Sequence, residues 1–379
     1  MSRPNVVSID HPGTFIAEEL EARGWHQTDL AYILGMSPQQ LNPLLTGKIS
    51  VTPDMAAQLG EAFDMPAEFF ANLQKLYDLN KAKPVDPGVK KRAAWLSHFP
   101  VREMIKRGWI EDTEAGLLDL QMLRFFGKNR VEDIPFVGDA EIAHAAKKSG
   151  DYSETTPLQY VWLHRVMKIA EKEDAKAFSA DHLREMLPRI RAHLRAKEDM
   201  IRIPAMLREC GVRFALVEAL PGSKIDGVCV WLNGQPAIGM TTRLDRFDNF
   251  AFVLRHEIEH ALNGDGREQT FSPVDEFDED IESDDLPEQE LRANAAAAEY
   301  LIPPHLLRSF MTRKGDFISE RDVLEFAARL EIHPAIVIGQ IQRKRKNYAW
   351  LRKYQTSIRK YLFDWKFVDG WDRQFAVQL

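Results

Sequence analysis

Three residues, His256, Glu257 and His260, have the types and spacing of a hydrolytic metal site. On an α-helix, residues four apart lie on the same face, so His256 and His260 can present ring nitrogens to one ion. Zinc binds imidazole at about 2.0–2.1 Å, and Glu257 beside that face can take a proton from an activated water. The pentapeptide alone leaves open a surface helix with two histidines and two carboxylates.

A catalytic zinc ion takes three protein ligands and keeps one position open. Glu290 is the candidate third ligand, because it begins a stretch, 290–300, that is rich in strong helix formers. Asn294 lies one turn later and can hydrogen-bond a ligating histidine from behind. The alternative for Glu290 is a solvated carboxylate at a helix start, which the helix dipole favours.

The lead-in 246–250, the H-E-x-x-H pentapeptide, the E-x-x-A-N pattern of 290–294 and the Leu-Ile-Pro of 301–303 resemble the ImmA/IrrE family of zinc metallopeptidases. The resemblance covers roughly 200–345 and implies a zincin-like (gluzincin) domain. In that family His256, His260 and Glu290 correspond to the Zn²⁺ ligands and Glu257 to the general base. Glu259 departs from the family, which usually has a small residue there, and is expected to add a carboxylate near the metal.

The N-terminal segment, about 8–80, has the pattern of two short helices joined by a tight turn at Gly35. Ser37 is a good N-cap, and Pro38 follows at the first helical position. This pattern resembles the HigA-type antitoxins of the XRE/Cro-like helix-turn-helix class. In such a fold the second helix enters the major groove of operator DNA. The expected base-reading residues are Ser37, Gln39, Gln40 and Asn42, and the resemblance assigns phosphate contacts to Gln27 and Lys48.

The alternative is that this N-terminal bundle packs on a protein instead of DNA. Residues 1–80 contain four Lys or Arg against ten Asp or Glu, a balance of −6. Attraction to phosphate normally dominates nucleic-acid affinity, so an acidic bundle is a weak reader by itself. Pro43 also falls inside the expected recognition helix and removes a backbone hydrogen bond there.

Composition and pattern predict a mainly α protein with a small β-sheet (α+β). A length of 379 residues suggests two or three domains, and 45% hydrophobic and 28% charged residues are ordinary for a globular protein. Two cysteines and no long apolar run favour a reducing cytoplasm over a membrane or secretion. The expected divisions are a helix-turn-helix domain (1–82), a helical spacer (83–200), the metallopeptidase core (201–310) and a C-terminal helical region (311–379).

Short strands are predicted at 212–217, 228–232 and 237–240, with a hairpin turn at Asn233-Gly234. Zinc peptidases commonly align the substrate backbone on an edge strand beside the metal-binding helix. The strand 237–241 is the candidate, and a purely structural hairpin is the alternative.

Two charged segments have no assigned role. Residues 275–290 include ten acidic side chains, which favour an extended loop that is a solvated linker, a lid, a DNA mimic or a site for a basic partner. The basic, aromatic segment 343–361 is expected to dock this acidic loop or to touch nucleic acid.

Two functions follow as hypotheses. In the first, a DNA-binding transcriptional regulator carries a zinc-dependent endopeptidase that cleaves a repressor or a toxin-related protein. In the second, the chain is an antitoxin and autorepressor that neutralises a HigB-like toxin, and the peptidase fold is a sensor or scaffold. A homodimer is expected, because helix-turn-helix proteins usually bind two half-sites. The sequence names neither substrate, operator nor activating signal.

Overall fold

The computed structural model describes residues 10–137, 155–267 and 287–376. The chain forms two compact units, one up to Asp86 and the other from Pro87. The predicted divisions near 200 and 310 fall inside the second unit and stay predictions. Most of the acidic segment 275–290, up to residue 286, lies outside the described residues.

The first unit is a bundle of helices with sharply defined ends. Gly35, with a φ of 66°, makes the turn before the third helix, and Ser37 caps that helix by accepting from Gln40 N. Pro43 lies inside this helix, as its sequence position predicted. The helices are α1 (Pro12–Arg23), α2 (Gln27–Ile33), α3 (Pro38–Leu45), α4 (Pro53–Phe63) and α5 (Ala67–Lys81).

Apolar residues at helical spacing bury the core of this unit. Leu30 of α2 and Leu41 of α3 are fully buried, and they pack with Leu59, Phe63 and Phe70 of the two following helices. This core fixes α2 and α3 against each other and leaves the start of α3 at the surface.

The second unit begins with helices, as predicted for 83–200. They are α6 (Gly88–His98), α7 (Val101–Lys106), α8 (Ala115–Phe126), α9 (Pro157–Ala170), α10 (Ala180–Ala192) and α11 (Ile203–Glu209).

The sheet that follows is mixed, and its described strands are β1 (Arg213–Val217), β2 (Gly227–Leu232), β3 (Gln235–Met240) and β4 (Val368–Asp369). Their order is β2-β3-β1-β4, with β2 antiparallel to β3 and with β1 parallel to both β3 and β4. The predicted hairpin is confirmed: Asn233 and Gly234 both have positive φ, at 52° and 78°. Sequence analysis missed β4, because two residues carry no periodicity.

The expectation that 237–241 is an edge strand was wrong. β3 pairs with β2 on one side and with β1 on the other, so its backbone groups over 237–240 are already used. Within the described residues, β2 and the two-residue β4 each pair on one side only, so they form the two edges of the sheet.

Helices cover both faces of the sheet. On β1, Phe214 and Leu216 join one buried cluster, and Ala215 and Val217 join the other. The first cluster includes α12 (Phe247–Asn263), the helix that carries the H-E-x-x-H residues, and the second includes α9.

The remaining helices complete the first cluster. They are α13 (Glu288–Leu301), α14 (Pro304–Lys314), α15 (Glu320–Leu330), α16 (Pro334–Arg345) and α17 (Arg359–Leu362). Short 3₁₀ turns occur at Val131–Asp133, Lys197–Arg202 and Arg352–Tyr354. No described helix is both long enough and apolar enough to cross a membrane.

The basic segment 343–361 is not one continuous helix. Arg345 ends α16 and donates to the carbonyl oxygens of Gly315 and Asp316, and Lys353 pairs with Glu320. Part of its charge is therefore used within the second unit. The expected docking of this basic segment on the acidic loop stays a prediction, because most of that loop lies outside the described residues.

Candidate metal centre and nucleic-acid interface

Two helices bring the predicted ligands together. His256 and His260 lie one turn apart on α12, and Glu290 lies in the first turn of α13. Ala293 and Ala297 share the buried face of α13 with Glu290, and their small side chains permit close approach to α12. All three ligand candidates are buried, with exposures of 0%, 5% and 2% in chain order.

The donor atoms converge on one point. The two histidine Nε2 atoms are 2.9 Å apart. Glu290 places one carboxylate oxygen 3.0 Å from His256 Nε2 and the other 3.4 Å from His260 Nε2. One donor atom from each residue lies within 4.8 Å of the others. Ligands at about 2.0–2.1 Å from a tetrahedral zinc ion lie roughly 3.3 Å apart, so the spacing fits such an ion.

The opposite ring nitrogens define the orientation of both imidazoles. His256 Nδ1 lies 3.2 Å from Asn294 Oδ1, and His260 Nδ1 lies 2.9 Å from Asp265 Oδ2. Both oxygens are acceptors, so each Nδ1 carries the hydrogen and each Nε2 presents its lone pair. The supporting role assigned to Asn294 has the geometry it requires.

Two lone pairs and a carboxylate that face one another in a buried space repel unless a cation or a proton lies between them. Burial alone would raise the pKa of Glu290. When both imidazoles are protonated, however, hydrogen bonds and charge from His256 and His260 outweigh burial and hold that pKa below its usual range. The group is thus arranged to stabilise an ionised Glu290, the form in which a carboxylate binds a metal.

Glu257 is fully buried and lies against the edge strand β2. A Cβ atom on Gly227, the first residue of β2, would stand only 2.3 Å from Glu257 Oε1. Glycine is therefore required at this position for the carboxylate to occupy its place beside β2.

Glu259 forms hydrogen bonds within its own helix, and its expected place near the metal stays a prediction. Glu259 accepts from Arg255 Nη2 at 2.8 Å and from Asn263 Nδ2 at 2.9 Å. Both partners lie four residues away on α12, so hydrogen bonds along the helix surface hold this carboxylate.

Sequence analysis missed Asp265, which supports His260. Gly264, with a φ of 71°, ends α12 and turns the chain so that Asp265 returns to the histidine five residues earlier. Trp231 Nε1 donates to the Asp265 carbonyl oxygen, and Arg292 Nη2 lies 2.7 Å from both carboxylate oxygens. The Asn263-Gly264 helix stop was the available signal, since an acidic residue directly after it can reach the last turn.

The predicted DNA-contacting residues cluster around α2 and α3. Ser37 and Gln40 form a capping box: Ser37 N donates to Gln40 Oε1 at 2.9 Å, and Gln40 N donates to Ser37 Oγ at 3.3 Å. Gln27 begins α2, and Lys48 follows α3. Exposed side chains at these positions are Gln27, Gln39, Gln40, Asn42 and Lys48.

Comparison with known proteins bears on this part of the chain. A helix-turn-helix family matches residues 16–70. An uncharacterized HTH-type transcriptional regulator of Escherichia coli K12, YddM, is 33% identical over 76 residues, which are 81% of that protein and 20% of this chain. Virulence-associated protein I of Dichelobacter nodosus is 34% identical over 80 residues, 74% of that protein and 21% of this chain. No solved structure matches significantly.

The chain belongs to the helix-turn-helix family. Residues 16–70 of the helix-turn-helix match run from α1 into α5 and include the turn at Gly35. These two relatives align with only about a fifth of this chain, so the role of the second unit depends on its own geometry.

Proposed function

We propose that this protein is a DNA-binding transcriptional regulator whose second unit is a zinc-dependent endopeptidase. The helix-turn-helix family and the name of the Escherichia coli relative support the DNA-binding part. The amide side chains of Gln39 and Asn42 at the exposed surface of α3 suit contacts with adenine edges in the major groove.

The observation that carries the peptidase proposal is the convergence of His256, His260 and Glu290 in one buried group. Two imidazoles and one carboxylate are the donor set of a catalytic zinc site with an open position. When bound there, zinc supplies Lewis acidity that lowers the pKa of water and polarises a carbonyl group. The resemblance of 200–345 to the ImmA/IrrE peptidases supports the same assignment.

Glu257 is the proposed general base. It follows His256 directly on α12, and its carboxylate is held against Gly227 on β2. In this role it takes a proton from the attacking water and passes it to the departing amine. Because β2 is an edge strand among the described residues, an extended substrate can pair with β2 beside this carboxylate.

Metal analysis of the purified chain tests the proposal first. We expect near-stoichiometric zinc in the wild type and in Glu257→Gln, and its loss in His256→Ala and Glu290→Ala. Asp265→Ala is expected to weaken zinc binding by about 10–100-fold, since it removes the acceptor behind His260. His305→Ala, at an exposed histidine of α14, is the control and should retain zinc.

Hydrolysis of a candidate repressor, followed by mass spectrometry, then tests the reaction. Glu257→Gln should abolish cleavage while zinc stays bound. A wild type without zinc, or a Glu257→Gln variant that cleaves normally, contradicts the peptidase proposal.

The second candidate function is an antitoxin, and the acidic balance of residues 1–80 favours it. An acidic surface suits a basic protein partner better than a phosphate backbone. Neutralisation of a HigB-like toxin in co-expression is the test. Under this function Glu257→Gln leaves both neutralisation and operator binding intact, and the peptidase fold is a sensor or scaffold.

A further inference from the structure

A cavity of about 280 Å³ lies at the carboxyl ends of the parallel strands in the second unit. β1 ends at Val217, β3 at Met240 and β4 at Asp369, and their registers place these ends at nearly the same level. The residues that follow these strands form much of the wall. The lining residues with polar or aromatic side chains are Glu218, Lys224, Thr242, Arg243, Arg359 and Trp371.

The carboxyl ends of parallel strands are a common place for ligands to bind. Ligands of open sheets with parallel strands bind in the crevice beyond the carboxyl ends, where loops from several strands converge. None of the described lining residues belongs to the candidate metal group, so this inference does not rest on the proposed function.

Arg359 is held in place at the cavity wall. Its Nε and Nη2 donate to the side-chain and backbone oxygens of Thr242, at 3.2 Å and 3.0 Å, and its guanidinium lies 5.3 Å from the Trp371 ring centroid. Asp245 fixes its backbone by accepting from Arg359 N at 2.8 Å. Within the described part of the chain, Nη1 makes no hydrogen bond to protein, so a donor remains on an oriented guanidinium.

Two further cations come from other segments. Arg243 follows β3 and pairs with the buried Asp226 at 2.7 Å, and Lys224 is exposed on the loop before β2. Glu218 is the one carboxylate among the described lining residues, and it accepts from Trp371 N at 2.7 Å. The lining therefore carries three cations against one carboxylate, although Asp226 offsets part of the Arg243 charge and Lys224 makes a contact of its own.

We propose that this cavity binds a small phosphate-bearing molecule. A single guanidinium can donate to both oxygens of a carboxylate in one plane. A phosphate, in contrast, accepts hydrogen bonds from donors that converge from several directions. Here the donors come from three separate segments: the loop after β1, the end of β3 and α17. The Trp371 indole at the same wall suits an organic group attached to the phosphate.

Calorimetric titration of the whole chain in phosphate-free buffer at constant ionic strength tests this. Three probes separate the possible sources: inorganic phosphate, AMP, and adenosine as the matched molecule without phosphate. We expect saturable binding of phosphate and AMP and none of adenosine. Lys224→Asn and Arg359→Gln should each weaken binding by about tenfold or more.

The variants are chosen so that misfolding can be recognised. Lys224 has a φ of 52°, a conformation that asparagine adopts readily, so Lys224→Asn removes the charge without new strain. Arg321→Gln, at an exposed arginine of α15, is the matched control and should bind as the wild type does. Melting temperatures without ligand verify folding.

Three results overturn the proposal. One is the absence of binding by phosphate and AMP up to about 10 mM. Another is equal binding of AMP and adenosine. The third is phosphate binding that is unchanged in both folded cavity variants. Loss of zinc or of peptide cleavage has no bearing on these results, so the two proposals fail separately.

Discussion

At the scale of single residues, Gly227 decides where the Glu257 carboxylate can lie. The absent Cβ leaves the space that Glu257 Oε1 occupies, and the same Cβ would meet Val253 Cγ1 at 2.7 Å. Neither neighbour can withdraw easily, because both are fully buried on α12. The absence of a side chain at Gly227 therefore allows β2 to lie in close contact with the helix of the candidate metal centre.

Gly227→Ala should therefore strain this contact. We expect the free energy of unfolding to fall by about 1–3 kcal/mol, the usual cost of overpacking, as measured by urea denaturation. Gly116→Ala on α8 is the control. Apart from the adjacent residues and the backbone of the same helix, no atom lies within 4 Å of the added Cβ. The control should be unchanged or slightly more stable. Equal stability of Gly227→Ala and the wild type would contradict this prediction, because it would show that the neighbouring side chains move aside without cost.

Glu173 provides a pH-dependent effect on stability at the same scale. Its side chain is 1% exposed, and its Oε2 accepts from Phe214 N at 2.6 Å. Burial raises the pKa of Glu173 to about 7, despite that hydrogen bond and the charges of Arg208 and Arg213. The folded state therefore keeps a proton that the unfolded chain releases near its ordinary pKa of 4.5.

The sign of the effect follows from this difference in proton binding. The stability contributed by protonated Glu173 is fully present below about pH 4.5 and is lost as pH rises through about 7. Glu173→Gln keeps an acceptor for Phe214 N but cannot ionise. We expect the variant to gain up to about 3 kcal/mol relative to the wild type between pH 4 and pH 8.

Denaturant titrations at several pH values measure this gain. Glu171→Gln, at an exposed carboxylate two residues away, should show the same pH dependence as the wild type. A parallel pH dependence of Glu173→Gln and the wild type would exclude the assignment.

At the scale of elements, α3 combines capping with the expected reading of DNA. Ser37 and Gln40 are engaged in the capping box, whereas Gln39 and Asn42 make no hydrogen bond through their side chains to described residues. Ser37 and Gln40 therefore act first on helix stability, and Gln39 and Asn42 are the better candidates for base contacts.

Substitutions on α3 separate these roles. Gln39→Ala and Asn42→Ala should each weaken specific operator binding by about 1–3 kcal/mol and leave folding unchanged. Ser37→Ala should lower the stability of the first unit by about 1 kcal/mol, because it removes an N-cap. Asn72→Ala, at an exposed asparagine of α5, is the control for binding. Fluorescence anisotropy with promoter fragments measures the affinity, and equal effects at positions 39 and 72 would contradict this assignment.

At the scale of the whole molecule, the candidate metal ligands and the helix-turn-helix family match lie in different compact units. A bound ion stabilises the unit that holds it by mass action. We expect chelation of zinc to lower the thermal stability of the second unit and to leave operator affinity unchanged. Calorimetry and DNA binding on the same chelated sample test this, and loss of operator binding on chelation would show that the units are coupled.

The sequence alone determined the features that depend on near neighbours. His256 and His260 share a face because four residues make about one helical turn, and Asn233-Gly234 turns the hairpin because both positions accept positive φ. The two helices that flank Gly35 and most of the sheet were predicted for the same reason: periodicity and capping act within a few residues.

The tertiary structure decided what depends on residues far apart in the chain. It places Glu290 within 3.4 Å of both histidines, brings Asp265 to His260 and puts β2 at one edge of the sheet. It also brings Arg359 and Trp371 to the carboxyl ends of β1 and β3. No local propensity encodes these contacts, because burial of the two apolar faces of the sheet fixes which distant segments meet.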